Sequence, residues 1–267
     1  MTTPPRPTPP LPSQPPSSAL LSATGLCKRY PNGVAAVDDV SLYLRKGEIL
    51  GLVGESGSGK STTAKMILRL LRPDAGQVIF AGRDLATVRG AELRALRARL
   101  QLVPQSPQTS LNPRLTIGQA IAFNLRAHGC PRAAVPARVA ALLDRVGVPP
   151  GDAGRYPHEM SGGQVQRVAL ARALSTDPEL IVCDEAVSAL DKSIQAQVLN
   201  LLAALQRDTG VAVLFISHDL AVVEHIADRV AVMRHGRVVE EGDVHQVWTA
   251  PHDPYTRELL SSIPPLG

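Results

Sequence analysis

From about Leu20 onward the chain alternates short unbroken apolar runs with longer stretches in which apolar residues recur every three or four positions. The first run is 49–53 (Ile-Leu-Gly-Leu-Val), and others follow at 100–103, 180–183, 211–216 and 230–233. Short, continuous runs rich in branched side chains predict strands buried on both faces of a parallel sheet. Residues 61–71, 165–174, 193–207 and 220–227 carry the helical period between them. Strands alternating with helices predict right-handed crossovers and an open α/β sheet. The stretch of about 92–176 breaks the alternation, with Ala-, Leu- and Arg-rich helical patterns and one clear strand, and predicts a helical insertion. No internal repeat is visible. Residues 1–18 hold eight prolines and no apolar segment of the kind a secretory signal needs. They read as an extended, disordered tail, with a polyproline II ligand as the alternative.

Gly54-Glu55-Ser56-Gly57-Ser58-Gly59-Lys60-Ser61 follows the first apolar run and opens the first helix. This is the context in which G-x-x-x-x-G-K-[ST] cradles phosphates. Glycines let successive backbone N–H groups turn inward, and the helix N-terminus adds its positive dipole end. Lys60 then reaches the β- and γ-phosphates and the Ser61 hydroxyl meets Mg²⁺, with Thr62 next on the helix. Leu180-Ile181-Val182-Cys183-Asp184 is an apolar strand ending in a carboxylate, a second anchor for the metal. Glu185 is expected to point away from Asp184 by strand alternation and to act as general base toward a water. His218 follows another apolar strand, at the sheet's carboxyl end where ligands bind, and reads as a γ-phosphate contact. Ser161-Gly162-Gly163-Gln164 makes a second glycine-lined helix start. One ATP has one set of phosphates, so this second site is expected to close over a partner's nucleotide.

In this order the motifs resemble those of ABC transporter ATP-binding subunits, from about Leu21 to the C-terminus. The resemblance implies a P-loop NTPase (RecA-like) core with a small antiparallel β subdomain and an inserted α-helical subdomain. It divides the chain into a tail (1–19) and an ATPase domain (20–267) with core 20–91 and 177–250, insertion about 92–176 and C-terminal extension 251–267. Tyr30 is implied as the adenine-stacking aromatic and Gln105 as the Q-loop glutamine that touches nucleotide and metal. Ser161 to Gln164 become the signature, Ser188-Ala189-Leu190-Asp191 the D-loop, with Asp191 near the partner's nucleotide, and His218 the switch histidine. Met160 replaces the usual leucine before the signature, and Ala186 a frequent proline; neither alters phosphate chemistry. Pro104-Gln105-Ser106-Pro107-Gln108-Thr109-Ser110-Leu111-Asn112-Pro113-Arg114 is similar to the dipeptide/oligopeptide importer group, which includes nickel importers. So is Pro254-Tyr255-Thr256-Arg257-Glu258-Leu259-Leu260, although Asp253 stands where that group has His. The implied cofactors are ATP and Mg²⁺. The implied partners are a second ATPase subunit, identical or paralogous, two membrane permease subunits and an extracytoplasmic solute-binding protein. The implied location is the cytoplasmic face of the membrane.

Composition narrows the alternatives. With 44% apolar and 19% charged residues the chain is neither disordered nor membrane-spanning by itself. Aromatics at 3% argue against base-stacking nucleic-acid folds, and the net charge of +4 comes from scattered arginines, not a dense block. No nucleic acid is expected as a partner. Cys27, Cys130 and Cys183 are too few and too scattered for a disulfide framework or zinc site. No cysteine follows Cys183, which argues against the C-terminal iron–sulfur centre of some relatives. A DNA-repair ATPase would need a long coiled coil, a translation factor a second cassette, and a metabolite kinase no Ser-Gly-Gly-Gln.

Overall fold

The structure is a computed structural model that describes residues 18–31, 33–106, 111–188 and 190–262. The proline-rich segment, residues 107–110 of the importer-like stretch and Ala189 of the D-loop lie outside these.

Among the described residues ten strands form two sheets. β1 (Ala19–Arg29), β2 (Ala35–Arg45), β4 (Ala75–Phe80) and β5 (Arg83–Asp84) make an antiparallel sheet in the order β2-β1-β4-β5. The larger sheet, in the order β10-β9-β3-β8-β7-β6, consists of β3 (Ile49–Val53), β6 (Leu100–Val103), β7 (Leu180–Asp184), β8 (Ala212–Ser217), β9 (Arg229–Arg234) and β10 (Arg237–Asp243). Every neighbouring pair in it is parallel except β9 with β10, which turn back on each other as a hairpin. β3 and β8 are buried along their whole length, as their unbroken apolar runs require. One hydrophobic cluster fills the face of this sheet toward the helices, and a second fills the space between the two sheets.

The helices are α1 (Lys60–Ile67), α2 (Gly90–Arg99), α3 (Ile117–Ala127), α4 (Val135–Arg145), α5 (Gly162–Leu174), α6 (Lys192–Thr209), α7 (Leu220–Ile226), α8 (Val244–Thr249) and α9 (Pro254–Ser261). Their starts are written in the sequence. Thr116 and Gln119 form a capping box on α3, Ser161 and Gln164 another on α5, and Asp191 caps α6, which ends at Gly210 in the left-handed conformation.

Two expectations change. The helix expected over 61–71 stops at Ile67, because Arg69 turns left-handed (φ 53°) and the N–H groups of Leu70 and Leu71 both return to the Lys65 carbonyl. The expected insertion of about 92–176 is narrower: Leu100–Val103 pairs with β7 inside the larger sheet, and α5 packs against that strand. α3 and α4 lie outside the sheet, packed on α5.

Candidate functional site

The loop from Gly54 to Lys60 leaves the carboxyl end of β3 and closes against the other layers. Gly54 has φ 144°, and a Cβ there would stand 2.1 Å from the Met233 carbonyl oxygen on β9. Gly59, at φ 105°, would meet the Ala36 carbonyl of β2 at 2.3 Å. Only glycine lets the loop pass this close to two backbones. The Ser58 carbonyl accepts the Gly236 N–H (3.0 Å), and the Gly236 carbonyl accepts the Asp38 N–H (2.8 Å), which ties the loop to the β9–β10 hairpin and to β2. Lys60 is 4% exposed, and its ammonium donates to the carbonyls of Gly54 (2.7 Å) and Glu55 (2.8 Å) and to Ser58 Oγ (3.4 Å). Burial lowers its pKa against the pull of Glu185, Asp184 and Glu55. Ser56 and Gly57 are exposed at the crest of the loop, and Thr62 is half-buried in the first turn of α1.

Asp184 ends β7 beside this loop, and its Oδ1 accepts the Ser61 hydroxyl at 2.9 Å. Burial raises the Asp184 pKa, and the neighbouring Glu185 charge adds to the rise; the Ser61 hydrogen bond opposes them. The two neighbouring carboxylates have different partners, Ser61 for Asp184 and Gln105 and His218 for Glu185. Strand geometry stops at Asp184, and Glu185 takes a left-handed backbone (φ 48°). A positive φ is uncommon for a non-glycine residue and costs about 1–3 kcal/mol. The Glu185 N–H is held by the Ile216 carbonyl, and Ser188 donates both its N–H and its hydroxyl to the Glu185 carbonyl. The carboxylate then lies between two groups from different elements. Gln105 Nε2, beyond β6, donates to Oε2 at 2.7 Å, and His218 Nδ1, beyond β8, is 3.5 Å from Oε1. Gln105 was expected among the metal ligands; here its amide nitrogen is spent on Glu185. Gly54, Glu55, Ser56, Glu185, His218 and Leu259 line one open cleft of about 390 Å³.

The remaining expected residues sit elsewhere. Tyr30 is 36% exposed in the turn between β1 and β2, where its N–H donates to the Val34 carbonyl just ahead of Ala36. Ser161 is exposed at the start of α5, and its N–H and hydroxyl are paired with the side chain of Gln164. Gly162 lies against Leu190, and a Cβ on Gly163 would stand 2.4 Å from Ile194 Cγ2. Asp191 accepts from the Ile194 N–H and the Ser193 hydroxyl, bonds that hold its carboxyl below the usual range. The Ser161–Gln164 turn and the Asp191 turn are therefore one packed unit. None of their residues is among the described residues that wall the cleft. Two cleft features escaped the sequence reading: Leu259 in the wall, and Tyr255, whose hydroxyl oxygen accepts the Glu55 N–H at 3.2 Å. In sequence their segment carries only its likeness to the importer group.

Residues 37–188 match the ABC transporter family. The chain is 53% identical over 242 residues to the glutathione import ATP-binding protein GsiA of Escherichia coli K12, and equally to that of Shigella flexneri. In each case the match covers 90% of this chain and 39% of the relative, so the chain spans about two fifths of the length of these relatives. Among solved structures, cbiO1 from Clostridium perfringens, described as part of the ABC transporter complex cbiONQ, superposes with a TM-score of 0.80 at 26% identity, covering 88% of this chain and 92% of that one. The ATP-binding cassette MJ0796, a dimer in a post-hydrolysis state bound to ADP and Pi, superposes at 0.75 and 28% identity, covering 84% and 98%.

Proposed function

The chain belongs to the ABC transporter family, and from that premise we propose that it is the ATP-binding and ATP-hydrolysing subunit of an importer for small peptides. One observation carries this reading: the loop lysine, the Ser61–Asp184 pair and the Glu185 carboxylate, bracketed by Gln105 and His218, converge on one cleft.

Lys60 and the loop amides bind the β- and γ-phosphates. The ammonium is already desolvated and resting on carbonyls, so transferring it to phosphate oxygens replaces neutral acceptors with charged ones. Ser61 and Asp184 are the residues to hold Mg²⁺. A hydroxyl and a carboxylate oxygen side by side suit a hard dication, and Asp184 is a carboxylate whose burial calls for a counter-charge. Gln105 could join them only through its carbonyl oxygen, since its amide nitrogen donates to Glu185. Mg²⁺ bound there would neutralise charge developing on the phosphate oxygens. Glu185 accepts a proton from the water whose oxygen attacks the γ-phosphorus, and the bond to the leaving ADP oxygen breaks. His218, beside Glu185, contacts the transferred phosphoryl group.

Ser161 to Gln164 lie outside this cleft with Ser161 exposed, which supports a paired arrangement in which each subunit's signature completes its partner's site. The partners are a second ATPase subunit, identical or paralogous, two permease subunits and a solute-binding protein, with this chain on the cytoplasmic face. No helix among the described residues is long and apolar enough to cross a membrane. Glutathione is the first cargo to test, because the relatives at 53% identity are named for its import. The test has two arms. Calorimetry should show Mg-ATP binding to the wild type and at least tenfold weaker binding to Lys60→Ala; equal affinity would remove Lys60 from its role. Uptake of labelled glutathione and dipeptides should fall when the subunit is deleted; loss of nickel uptake alone would reassign the cargo.

A further inference from the structure

Helix α9 is anchored at its start. The buried Glu240 carboxylate of β10 accepts the backbone N–H groups of His252 (2.7 Å) and Asp253 (3.1 Å). Asp253 caps the first turn by accepting the Tyr255 N–H at 2.8 Å, and Arg257 folds back onto the carbonyls of Pro251 and His252. These bonds hold Tyr255, 2% exposed, with the Arg234 guanidinium 4.5 Å from its ring centroid. Its hydroxyl oxygen then accepts the Glu55 N–H. One turn further on, Leu259 forms part of the cleft wall.

The peptide unit joining Gly54 to Glu55 is thereby gripped on both edges. Its carbonyl oxygen accepts from Lys60 Nζ, and its N–H donates to Tyr255. A peptide is planar, so fixing one edge sets the direction of the other. Gly54 contributes no side chain to lock that plane, and its φ of 144° lies where glycine moves freely. We propose that Tyr255 is a positioning residue of the nucleotide site: it sets the Gly54–Glu55 peptide plane, and through it the carbonyl against which the Lys60 ammonium is held. This rests on the ATP-binding reading above. It makes the C-terminal helix a working part of the phosphate-binding loop.

Tyr255→Phe removes the hydroxyl and keeps the ring under Arg234. With Mg²⁺ and a fluorescent ATP analogue (mant-ATP), its Kd should rise about three- to tenfold, the worth of one hydrogen bond. The Tm without nucleotide should stay within about 4 °C of wild type. A double-mutant cycle separates positioning from general loosening. In a Lys60→Ala background, Tyr255→Phe should change Kd by less than about twofold, because the group it acts through is gone. Asp253→Ala, which removes the helix cap and keeps the hydroxyl, should show the same dependence on Lys60 with a smaller effect, and serves if Tyr255→Phe does not fold. A wild-type Kd in Tyr255→Phe, or a full additive loss in the Lys60→Ala background, overturns the proposal while the ATP reading stands. Failure of the wild type to bind mant-ATP would instead sink the ATP reading, and this inference with it.

Discussion

At the scale of single residues, the proposed chemistry concentrates in Glu185, whose backbone is left-handed and whose carboxylate lies between Gln105 and His218. Glu185→Gln keeps the size and the Gln105 contact but cannot take a proton. Steady-state ATPase assays should show kcat reduced roughly 10²–10⁴-fold with ATP affinity retained. Normal turnover would exclude Glu185 as the base. Much of this was legible beforehand: the loop from Gly54 to Ser61, the strand ending in Asp184 and the histidine after β8 are local patterns. The left-handed backbone of Glu185 was not. Strand alternation is a rule for extended chain, and the chain stops being extended at this residue.

At the scale of elements, the start of α5 is wedged against the start of α6. Gly163→Ala drives a Cβ into Ile194 Cγ2, and overpacking of this kind costs about 1–3 kcal/mol. Thermal unfolding should therefore show a Tm lowered by roughly 2–10 °C, with Ile194→Ala restoring part of the loss in the double variant. An unchanged Tm for Gly163→Ala would show that the two helix starts are not in contact. In sequence Ser161 marks a glycine-lined helix start and Asp191 the D-loop of the resemblance. Their union is not marked there, because Gly163 and Ile194 lie 31 positions apart and carry no pattern relating them.

At the scale of the whole molecule, Arg229 ties the two sheets together, as does the Arg237–Asp38 pair between β10 and β2. Arg229 of β9 bonds Glu48 at 3.0 Å and Glu241 of β10, and its guanidinium lies 4.1 Å from the ring centroid of Tyr43 on β2. Burial pushes the Glu241 carboxyl up in spite of that partner. Arg229→Met would leave the buried Glu241 carboxylate without its ion-pair partner and Glu48 with only Arg45, 3.6 Å away, a loss of about 3–5 kcal/mol. Denaturant unfolding should show a midpoint shift of that size, whereas a wild-type midpoint would make the cluster dispensable. The proposed pairing belongs to this scale too. With Mg-ATP, Glu185→Gln should elute as a dimer in size-exclusion chromatography, and Ser161→Arg in the same background should return it to monomer. Persistent monomer in both would contradict the completed-by-partner site.

Periodicity and the glycine-rich motif by themselves pointed to an open α/β sheet with a glycine-rich loop at the end of its first buried strand, because those features depend on residues within a few positions of one another. They also marked the strand that ends in Asp184, for the same reason. Only the tertiary structure decided that Gln105, Glu185 and His218 meet. It alone brought a tyrosine 200 positions downstream to hold the Glu55 amide. Contacts between distant segments depend on how layers stack, and the stacking is set by the sum of many buried surfaces, which no short stretch of residues encodes.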